Sequence, residues 1–197
     1  MKPIKFLVAC LALVVSTMTA NAQGDIQIGY VQPTSVTTMN GAKTSQSMDG
    51  IQAGFNYTIS VQEPVSLQFG LLYSYLFKTK TVLGVDTKLQ GHALDIPVDV
   101  VVAFPLASDL KLFAFGGPDL SYMLAKSIKV GNSDSYDFYK NNSDAQRFNL
   151  QFGIGAGLMF KDFGIKFKYN WGIIDLDKSS ATITVGNGFA ISLTHSI

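Results

Sequence analysis

Carboxylates and amines alternate with apolar residues in two segments of this 197-residue chain. Asp95 and Asp99 interrupt an aliphatic run, and Lys166 and Lys168 interrupt an aromatic run. In a β-strand, successive side chains face opposite sides of the sheet, so these charges share one face and the apolar residues share the other. Charges that are enclosed in protein need partners. The pattern therefore predicts ion pairing on an enclosed face rather than bond-breaking chemistry.

The predicted ion-pair network contains residues from several strands. Its members are Asp95, Asp99, Lys111, Asp119, Arg147, Lys166 and Lys168. An eight-stranded barrel is wide enough only for its own side chains or for one small ligand. We interpret the network as side chains that fill the bore of such a barrel. A selective pore lined by the same residues is the alternative.

Histidine-dependent catalysis is not predicted, because neither of the two histidines has a suitable partner. A hydrolase of this type needs a histidine within hydrogen-bond reach of Ser or Asp. His92 has Asp86 and Asp95 nearby in sequence, but the pattern places these acids on a loop and on the opposite face. His195 has no acid nearby. We interpret both histidines as interface residues and expect no enzyme activity and no cofactor.

Acidic residues in two long polar segments could suggest a cation site. They are Asp134, Asp137, Asp144, Asp175 and Asp177. Their spacing does not match the calcium-binding loop of an EF-hand. We therefore expect no metal site.

Three aromatic residues stand out in one of these polar segments: Tyr136, Phe138 and Tyr139. Exposed aromatic residues in polar surroundings often anchor a protein partner. Alternatively, such residues rest on a barrel rim or in the headgroup layer of a membrane. We take them as a hypothetical partner-contact loop and keep the rim interpretation beside it.

The segment from Arg147 to Trp171 predicts a hairpin that positions two of the charges. A two-residue turn at Lys161-Asp162 pairs apolar residues on one face, beginning with Phe160 and Phe163. On the other face the same register pairs Gly157 with Lys166, Gly155 with Lys168, and Gly153 with Asn170. We expect both lysines to lie across glycines and to reach the acids of another strand, chiefly Asp99.

Similar alternation recurs along the chain and predicts eight strands. The predicted connections are Gln32–Asp49, Gln62–Pro64, Lys78–Lys88, Pro105–Asp109, Ser127–Gln146, Lys161-Asp162 and Gly172–Gly186. Long and short connections alternate, as they do in outer-membrane barrels. An apolar outside and a polar inside also fit a membrane barrel, whereas a soluble lipocalin-type barrel would reverse the two faces. We therefore predict an all-β, eight-stranded antiparallel up-and-down transmembrane β-barrel.

The fifth predicted strand contains an irregular segment, Gly116-Gly117-Pro118. Proline within a strand is found at edges and bulges. An unbulged register would place Asp95 directly opposite Asp119, and like charges in that position destabilise a sheet. We therefore expect a bulge at the Gly-Gly-Pro segment.

The N-terminal residues carry an export pattern. Two lysines precede an apolar run that ends at Ala20-Asn21-Ala22, which fits a cleaved signal peptide. We assign 1–22 to the signal peptide and 23–197 to the barrel domain. The chain has 15 basic and 14 acidic residues, a balance that gives no indication of nucleic-acid binding.

Four short motifs resemble the PorT-like group of small outer-membrane, porin-family barrels found in Bacteroidota-type Gram-negative bacteria. They are Leu67–Ser74, Leu94–Val98, Gly117-Pro118 and Tyr169–Gly172. The resemblance implies export through the periplasm and insertion into outer-membrane lipid by the barrel-assembly machinery. The best-known members of the group are linked to secretion and gliding systems, so a link to secretion or envelope function is expected. Separately, we interpret the chain as a structural or interaction barrel that contacts an unknown protein partner through its external loops. A transport barrel or narrow pore for a small ligand is the alternative.

Overall fold

Antiparallel strands account for most of the described chain. The computed structural model describes residues 22–39, 42–82, 85–131, 133, 135–141, 146–174, 181–185 and 187–197. The strands are β1 Ala22–Gln32, β2 Thr34–Met39, β3 Ala42–Ser47, β4 Asp49–Gln62, β5 Val65–Val82, β6 Val85–Ala107, β7 Leu110–Val130, β8 Tyr136–Asp137, β9 Phe148–Phe160, β10 Phe163–Gly172, β11 Ala181–Val185 and β12 Gly188–Ser196. One short helix, α1, spans Phe138–Asn141.

Nearly all of the proposed signal peptide, residues 1–21, lies outside the described residues. Within the described ranges, no helix is both long enough and apolar enough to cross a membrane.

Eight of the strands form a closed ring, which confirms the predicted barrel. Around the ring the order is β6, β5, β4, β1, β12, β10, β9 and β7, and β7 pairs with β6 to close it. Every pairing in the ring is antiparallel. The first and last strands of the barrel meet directly, with Ile28 opposite Leu193. No strand of the ring is left with an open edge over the length of the barrel.

The two faces of the wall differ as the alternation predicts. On β4, Phe55 is 60% exposed while its neighbour Asn56 is 4% exposed. The outward face of the ring carries exposed aromatic and aliphatic residues, among them Phe167 and Leu193. Buried polar residues such as Gln27 and Gln52 point inward. The apolar face is therefore the outside of the barrel.

The predicted hairpin of β9 and β10 has the expected register. Phe160 pairs with Phe163, and Gly155 pairs with Lys168. Lys161, in the two-residue turn, has a positive φ of 53°. The short turn leaves little freedom in register, which explains why counting residues was sufficient here.

The bulge expected at Gly116-Gly117-Pro118 is wrong. Asp119 pairs with Pro97 and Gly116 pairs with Val100, so the register is continuous through the segment. The shifts between β6 and β7 lie instead at Pro105/Ala107 and at His92/Ala93. The turn is shorter than predicted: Ala107 pairs with Leu110, so two residues and not five connect the strands. This shorter turn, together with the first shift beside it, places Asp95 two residues away from the position opposite Asp119.

Asp95 accordingly stands opposite Ser121. This register replaces the predicted like-charge pair with a hydrogen-bonded one. The irregularity therefore belongs to the turn, where an extra residue is easily accommodated, and not to the glycine-rich part of the strand.

The polar connections contain more regular structure than predicted. We call the barrel end with the long connections the outer end, and the end with the short turns the inner end. Within the predicted loop Gln32–Asp49, β2 and β3 form a hairpin, and β11 adds a third strand to it. Threonine is β-branched and favours strands, so polar composition alone misled the loop prediction.

Three barrel strands also continue past the predicted loop boundaries at the outer end. The β5–β6 pairing extends to Val82 opposite Val85, through the predicted loop Lys78–Lys88. On the other side, β7 pairs with β6 as far as Val130.

Candidate functional site

The interior of the barrel is the candidate site. A cavity of about 960 Å³ lies in the outer part of the bore. Asp95, Asp99 and Asp119 line its floor, and the β2–β3 hairpin lines part of its outer opening through Ser35 and Gln46. The inner part of the bore is filled by side chains. Lys166 and Phe115 line the inner limit of the cavity, where it meets the filled part.

Lys168 joins two predicted acids at the cavity floor. Its Nζ atom lies 3.1 Å from both carboxylate oxygens of Asp99 and 3.7 Å from Oδ2 of Asp119. The exposed fractions of the three side chains are 12% for Lys168, 4% for Asp99 and 9% for Asp119. Lys168 thus reaches Asp99, as expected from the hairpin register, and it is shared with a second carboxylate.

Asp95 is held by neutral donors instead of by a lysine. Ser121 donates to Oδ1 at 2.6 Å, while Ser74 and Gln52 donate to Oδ2 at 2.7 and 3.1 Å. All three donors are buried. A buried carboxylate must be hydrogen-bonded, and this arrangement meets that need without an adjacent cation. The two serines were not among the predicted site residues.

Lys166 belongs to a different layer, nearer the inner end. Its Nζ atom donates to Oε1 of Gln68 at 2.7 Å and lies 4.6 Å from the ring centroid of Phe115. Gln68 in turn donates to Asp25 at 3.5 Å, and Ser196 donates to the same carboxylate at 2.8 Å. The expected reach of Lys166 toward Asp99 is therefore replaced by a neutral amide contact. Asp25 was also missed by the sequence prediction.

Glycines on β9 make room for aromatic rings. A Cβ atom on Gly155 would overlap the ring of Phe115, and one on Gly157 would overlap the ring of Phe113. The two rings are buried, with centroids 5.9 Å apart. The glycines do lie opposite Lys168 and Lys166, as predicted, but the space they leave is occupied from the neighbouring strand β7. Sequence register across one hairpin could not show this third strand.

Two predicted members of the network lie at its ends. Lys111 is exposed at the inner end, because it is close to the turn that follows Ala107. Arg147 lies at the outer opening, where it donates to the Leu124 carbonyl at 3.0 Å. Among the described residues, no salt bridge joins either one to an acid. Both corrections have one cause. The alternation along a strand predicts which face a side chain is on, but the side chain is enclosed only where the neighbouring strands extend beyond it.

Aromatic residues and cations meet at the outer opening. The Arg147 guanidinium lies 4.2 Å from the ring centroid of Tyr139, and Lys126 Nζ lies 4.9 Å from that of Phe138. Burial lowers the pKa of Lys126 and raises the pKa of Tyr139. Phe138 and Tyr139 therefore pack over the rim, while Tyr136 is 45% exposed. Contact of this loop with a partner stays a prediction.

The histidines lie on the outward face. His92 Nδ1 is 2.5 Å from the Tyr73 hydroxyl, and the His195 ring stacks on Phe163 with centroids 4.6 Å apart. Asp95 lies on the other side of the wall from His92. The described geometry thus keeps both histidines apart from the buried carboxylates.

One of the acidic residues considered for a metal site, Asp137, is among the described residues. The other four, Asp134, Asp144, Asp175 and Asp177, lie outside them. Asp137 accepts hydrogen bonds from the backbone of α1, at 3.1 Å from Tyr139 N. Within the described part of the chain, no group of three or more His, Cys, Asp or Glu residues could hold a metal ion.

Apolar residues form a collar above the cavity floor, and the sequence prediction did not include them. The collar consists of Leu72, Leu76, Ala93 and Met123. Leu72, Leu76 and Ala93 are almost fully buried. Their sequence signal was the presence of apolar residues at inward positions of β5, β6 and β7, where the alternation otherwise places polar residues. That break predicts an interior whose outer part is apolar above a charged floor.

Comparison with known proteins identifies a family and a shared fold. The family described as outer membrane protein beta-barrel domain matches residues 21–178. The crystal structure of the outer membrane enzyme PagL is similar at a TM-score of 0.50 and 16% identity, covering 85% of this chain and 98% of that one. No curated protein sequence matches this chain.

Two further crystal structures are similar at lower TM-scores. Ail, the attachment invasion locus protein of Yersinia pestis, has a TM-score of 0.45 and 14% identity, covering 89% of this chain and 98% of Ail. OprG from Pseudomonas aeruginosa has a TM-score of 0.41 and 12% identity, covering 90% of this chain and 97% of OprG. At these identities the likeness concerns the fold alone.

Proposed function

We propose, from the premise that this chain belongs to the outer membrane protein β-barrel family, that it is a non-catalytic surface protein that binds a partner through its outer end. The protein is located in the outer membrane, where the apolar outward face contacts lipid. The outer end then faces the cell exterior. We further propose that the barrel-assembly machinery inserts it. Membership of the PorT-like group and a link to secretion or envelope function remain predictions.

The observation that carries this proposal is the length of three neighbouring strands. A membrane-spanning strand needs about 9–11 residues at the usual tilt. β5, β6 and β7 have 18, 23 and 21 residues. The outer end of this three-stranded extension therefore projects beyond the lipid, and the external sheet of β2, β3 and β11 stands beside it. Folded strands present a rigid binding surface, which lowers the entropic cost of association.

A like-charge pair on the extension indicates the chemistry of the partner. Lys88 of β6 stands directly opposite Lys129 of β7, and both side chains are exposed. Like charges directly opposite each other destabilise a sheet. An acidic group on a partner would relieve that repulsion. We therefore propose a protein partner with an acidic contact surface.

Crosslinking in intact cells tests the proposed surface. A photo-crosslinking residue at Thr79, opposite Lys88, should give a discrete adduct with one protein. The same residue at Ser108, in the exposed inner turn, is the matched control and should not give it. The double substitution Lys88→Glu/Lys129→Glu should weaken the Thr79 adduct without loss of the folded barrel. Equal adducts at both positions, or none at Thr79, would contradict the proposal.

The filled inner bore argues against the alternative of a narrow pore. The buried rings of Phe113 and Phe115 and the Lys166–Gln68 contact lie between the cavity and the inner end. An ion would have to displace these side chains in order to pass. Single-channel recording on the purified, refolded protein should show no stable openings. Stable openings would favour the pore and count against the plugged bore.

A further inference from the structure

We propose that the cavity in the outer part of the bore binds a small amphipathic amine from the cell exterior, with its ammonium group at Asp119 and its apolar body against the collar. This proposal is independent of the partner-binding surface, because the two use different parts of the outer end. It concerns retention of a ligand in a closed-ended cavity and requires no passage through the membrane.

The charge at the cavity floor is the first observation. Asp95, Asp99 and Asp119 line the floor, and Lys168 is the amine that lies within 4.0 Å of two of them. Among the described residues, Lys166 forms no salt bridge and instead donates to Gln68. Lys166 also lines the cavity, so the three enclosed carboxylates face two ammonium groups and carry one excess negative charge. Enclosed charge is costly without compensation, so a further positive group at the floor is favoured.

Asp119 provides a specific atom for that group. Its residue is 7% exposed, and its Oδ1 atom has no hydrogen-bond partner among the described residues. The other oxygen, Oδ2, faces Lys168 at 3.7 Å. A buried acceptor left without a donor costs stability. Oδ1 is itself buried, so an N–H donor from the cavity reaches it when the Asp119 side chain turns toward the cavity, while Lys168 keeps its contacts with Asp99.

The collar sets the second chemical requirement of the ligand. Ala93 pairs with Met123, and this pair lies two residues outward of the pair between Asp95 and Ser121. At about 3.3 Å per residue, this pair lies roughly 7 Å outward of Asp95, and Met123 lies about 13 Å outward of Asp119 along β7. Leu72 stands opposite Asp95 and Leu76 stands opposite Gly91, so apolar surface begins beside the carboxylates and continues outward. A ligand with a short apolar body next to its ammonium group fits this order of charged and apolar surfaces in the cavity.

Space for such a ligand is present. The cavity volume of about 960 Å³ is at the upper end of the range of roughly 300–1,000 Å³ for small-molecule sites. Gly91, at the collar, keeps the wall thin beside Leu76 and Met123. The apolar collar also favours an organic cation over a hydrated metal ion, which could not shed its water against aliphatic side chains.

The cations at the opening do not oppose entry strongly. The Arg147 guanidinium donates to the carbonyl oxygen of Leu124, five residues outward of Asp119 on β7. This separation is about 16 Å along the strand, so the repulsion between Arg147 and an ammonium group at Asp119 is much weaker than between charges in contact. The Arg147 and Lys126 charges also lie over aromatic rings.

The test uses three water-soluble probes of one shape. These are 2-phenylethylamine, the neutral 2-phenylethanol and the anionic 3-phenylpropionate. Each is titrated by calorimetry into the full, refolded barrel in micelles, with empty micelles as the blank. The amine should bind about tenfold or more tightly than the alcohol, because a hydrogen bond to a charged group is worth that factor. The anion should show no binding.

Two variants locate the site. Asp119→Asn should weaken amine binding by about tenfold or more. Asp25→Asn is the matched control, since it removes the same charge from a buried carboxylate that does not line the cavity, and it should leave amine binding unchanged. Ala93→Leu should also abolish binding by filling the collar while every carboxylate is retained.

Folding of each variant is checked by heat-modifiable gel mobility, so that loss of binding is not loss of the barrel. If Asp119→Asn does not fold, Ala93→Leu carries the test. The proposal is overturned if the amine binds no more tightly than the alcohol, if Asp25→Asn weakens binding as much as Asp119→Asn, or if Ala93→Leu binds normally. Each of these outcomes leaves the Thr79 crosslinking result unaffected.

Discussion

The inner and outer parts of the bore are enclosed by the same strands, but the inner part is filled by side chains and the outer part is a cavity. In the inner part, Phe113 and Phe115 pack against glycines and the Lys166–Gln68 contact fills the remaining space. In the outer part the same strands enclose a cavity of about 960 Å³. Strand number and tilt fix the width of a barrel, so the wall cannot account for this difference. The size and packing of the inward side chains decide it.

Exposure alone does not reveal the contrast. Phe113 is 8% exposed and Leu76 is 5% exposed, yet the first packs against Gly157 and the second lines the cavity. Both side chains have little solvent-accessible surface, because the barrel wall itself covers them. The difference lies in what stands on the inward side, and substitutions are the direct way to measure it.

The largest effect is expected at the glycines beneath the rings. Gly155→Leu should prevent folding, because any Cβ atom there overlaps both the Phe115 ring and the backbone carbonyl of Phe167. The backbone of a closed ring cannot move away without breaking its pairings. We expect a loss of more than about 4 kcal/mol, in the range of severe single substitutions. Folding is measured by heat-modifiable gel mobility after refolding into micelles.

Leu158→Val is the matched control on the same strand. Leu158 is on the outward face and 42% exposed, so it should fold like the unmodified protein. A folded Gly155→Leu protein would show that the inner part of the bore has room, and would remove the distinction between the two parts.

The next effect is expected at the cavity floor. Lys168→Met should destabilise the barrel by about 3–5 kcal/mol, because removal of one partner leaves buried carboxylates uncompensated. Asp99 loses both of its 3.1 Å contacts, and Asp119 loses its only salt bridge among the described residues. Equilibrium unfolding in urea from lipid vesicles gives the free energy.

The control for this substitution is Lys161→Met in the exposed turn. Lys161 and Asp109 are 60% and 56% exposed at a separation of 4.0 Å, and exposed pairs contribute about 1 kcal/mol or less. Adding Asp99→Asn to Lys168→Met should recover part of the lost stability. If Lys161→Met and Lys168→Met cost the same, the floor charges are solvated and the cavity is open to bulk water.

Counting residues along the chain was enough to predict one part of the sheet and not another. The Lys161-Asp162 turn fixes the register of β9 against β10, so the pairing of Gly155 with Lys168 could be stated in advance. The register of β6 against β7 could not, because the turn predicted at Pro105–Asp109 is a two-residue turn after Ala107, with an extra residue between Pro105 and Ala107. The missed register also explains why Ser121 was not recognised as the partner of Asp95.

The partners of the lysines required the closed ring. Lys166 and Lys168 have similar neighbours on β9, but across the bore one meets Gln68 and the other meets Asp99. Such contacts join strands that are far apart in sequence. The alternation of side chains along a strand specifies only that both lysines point inward. The apolar collar was within reach of sequence reasoning, since Leu76 already stood at an inward position.

The smallest effect compares two almost equally buried apolar residues. Phe113→Ala removes a ring from the packed inner layer and should cost about 3 kcal/mol or more. Leu76→Ala, in the collar, should cost less than about 2 kcal/mol, since cavity formation adds little where a cavity already exists. Urea unfolding of both variants under identical conditions measures the difference. Equal costs would mean that the collar packs as tightly as the ring layer, and the outer part of the bore would then hold no space for a ligand.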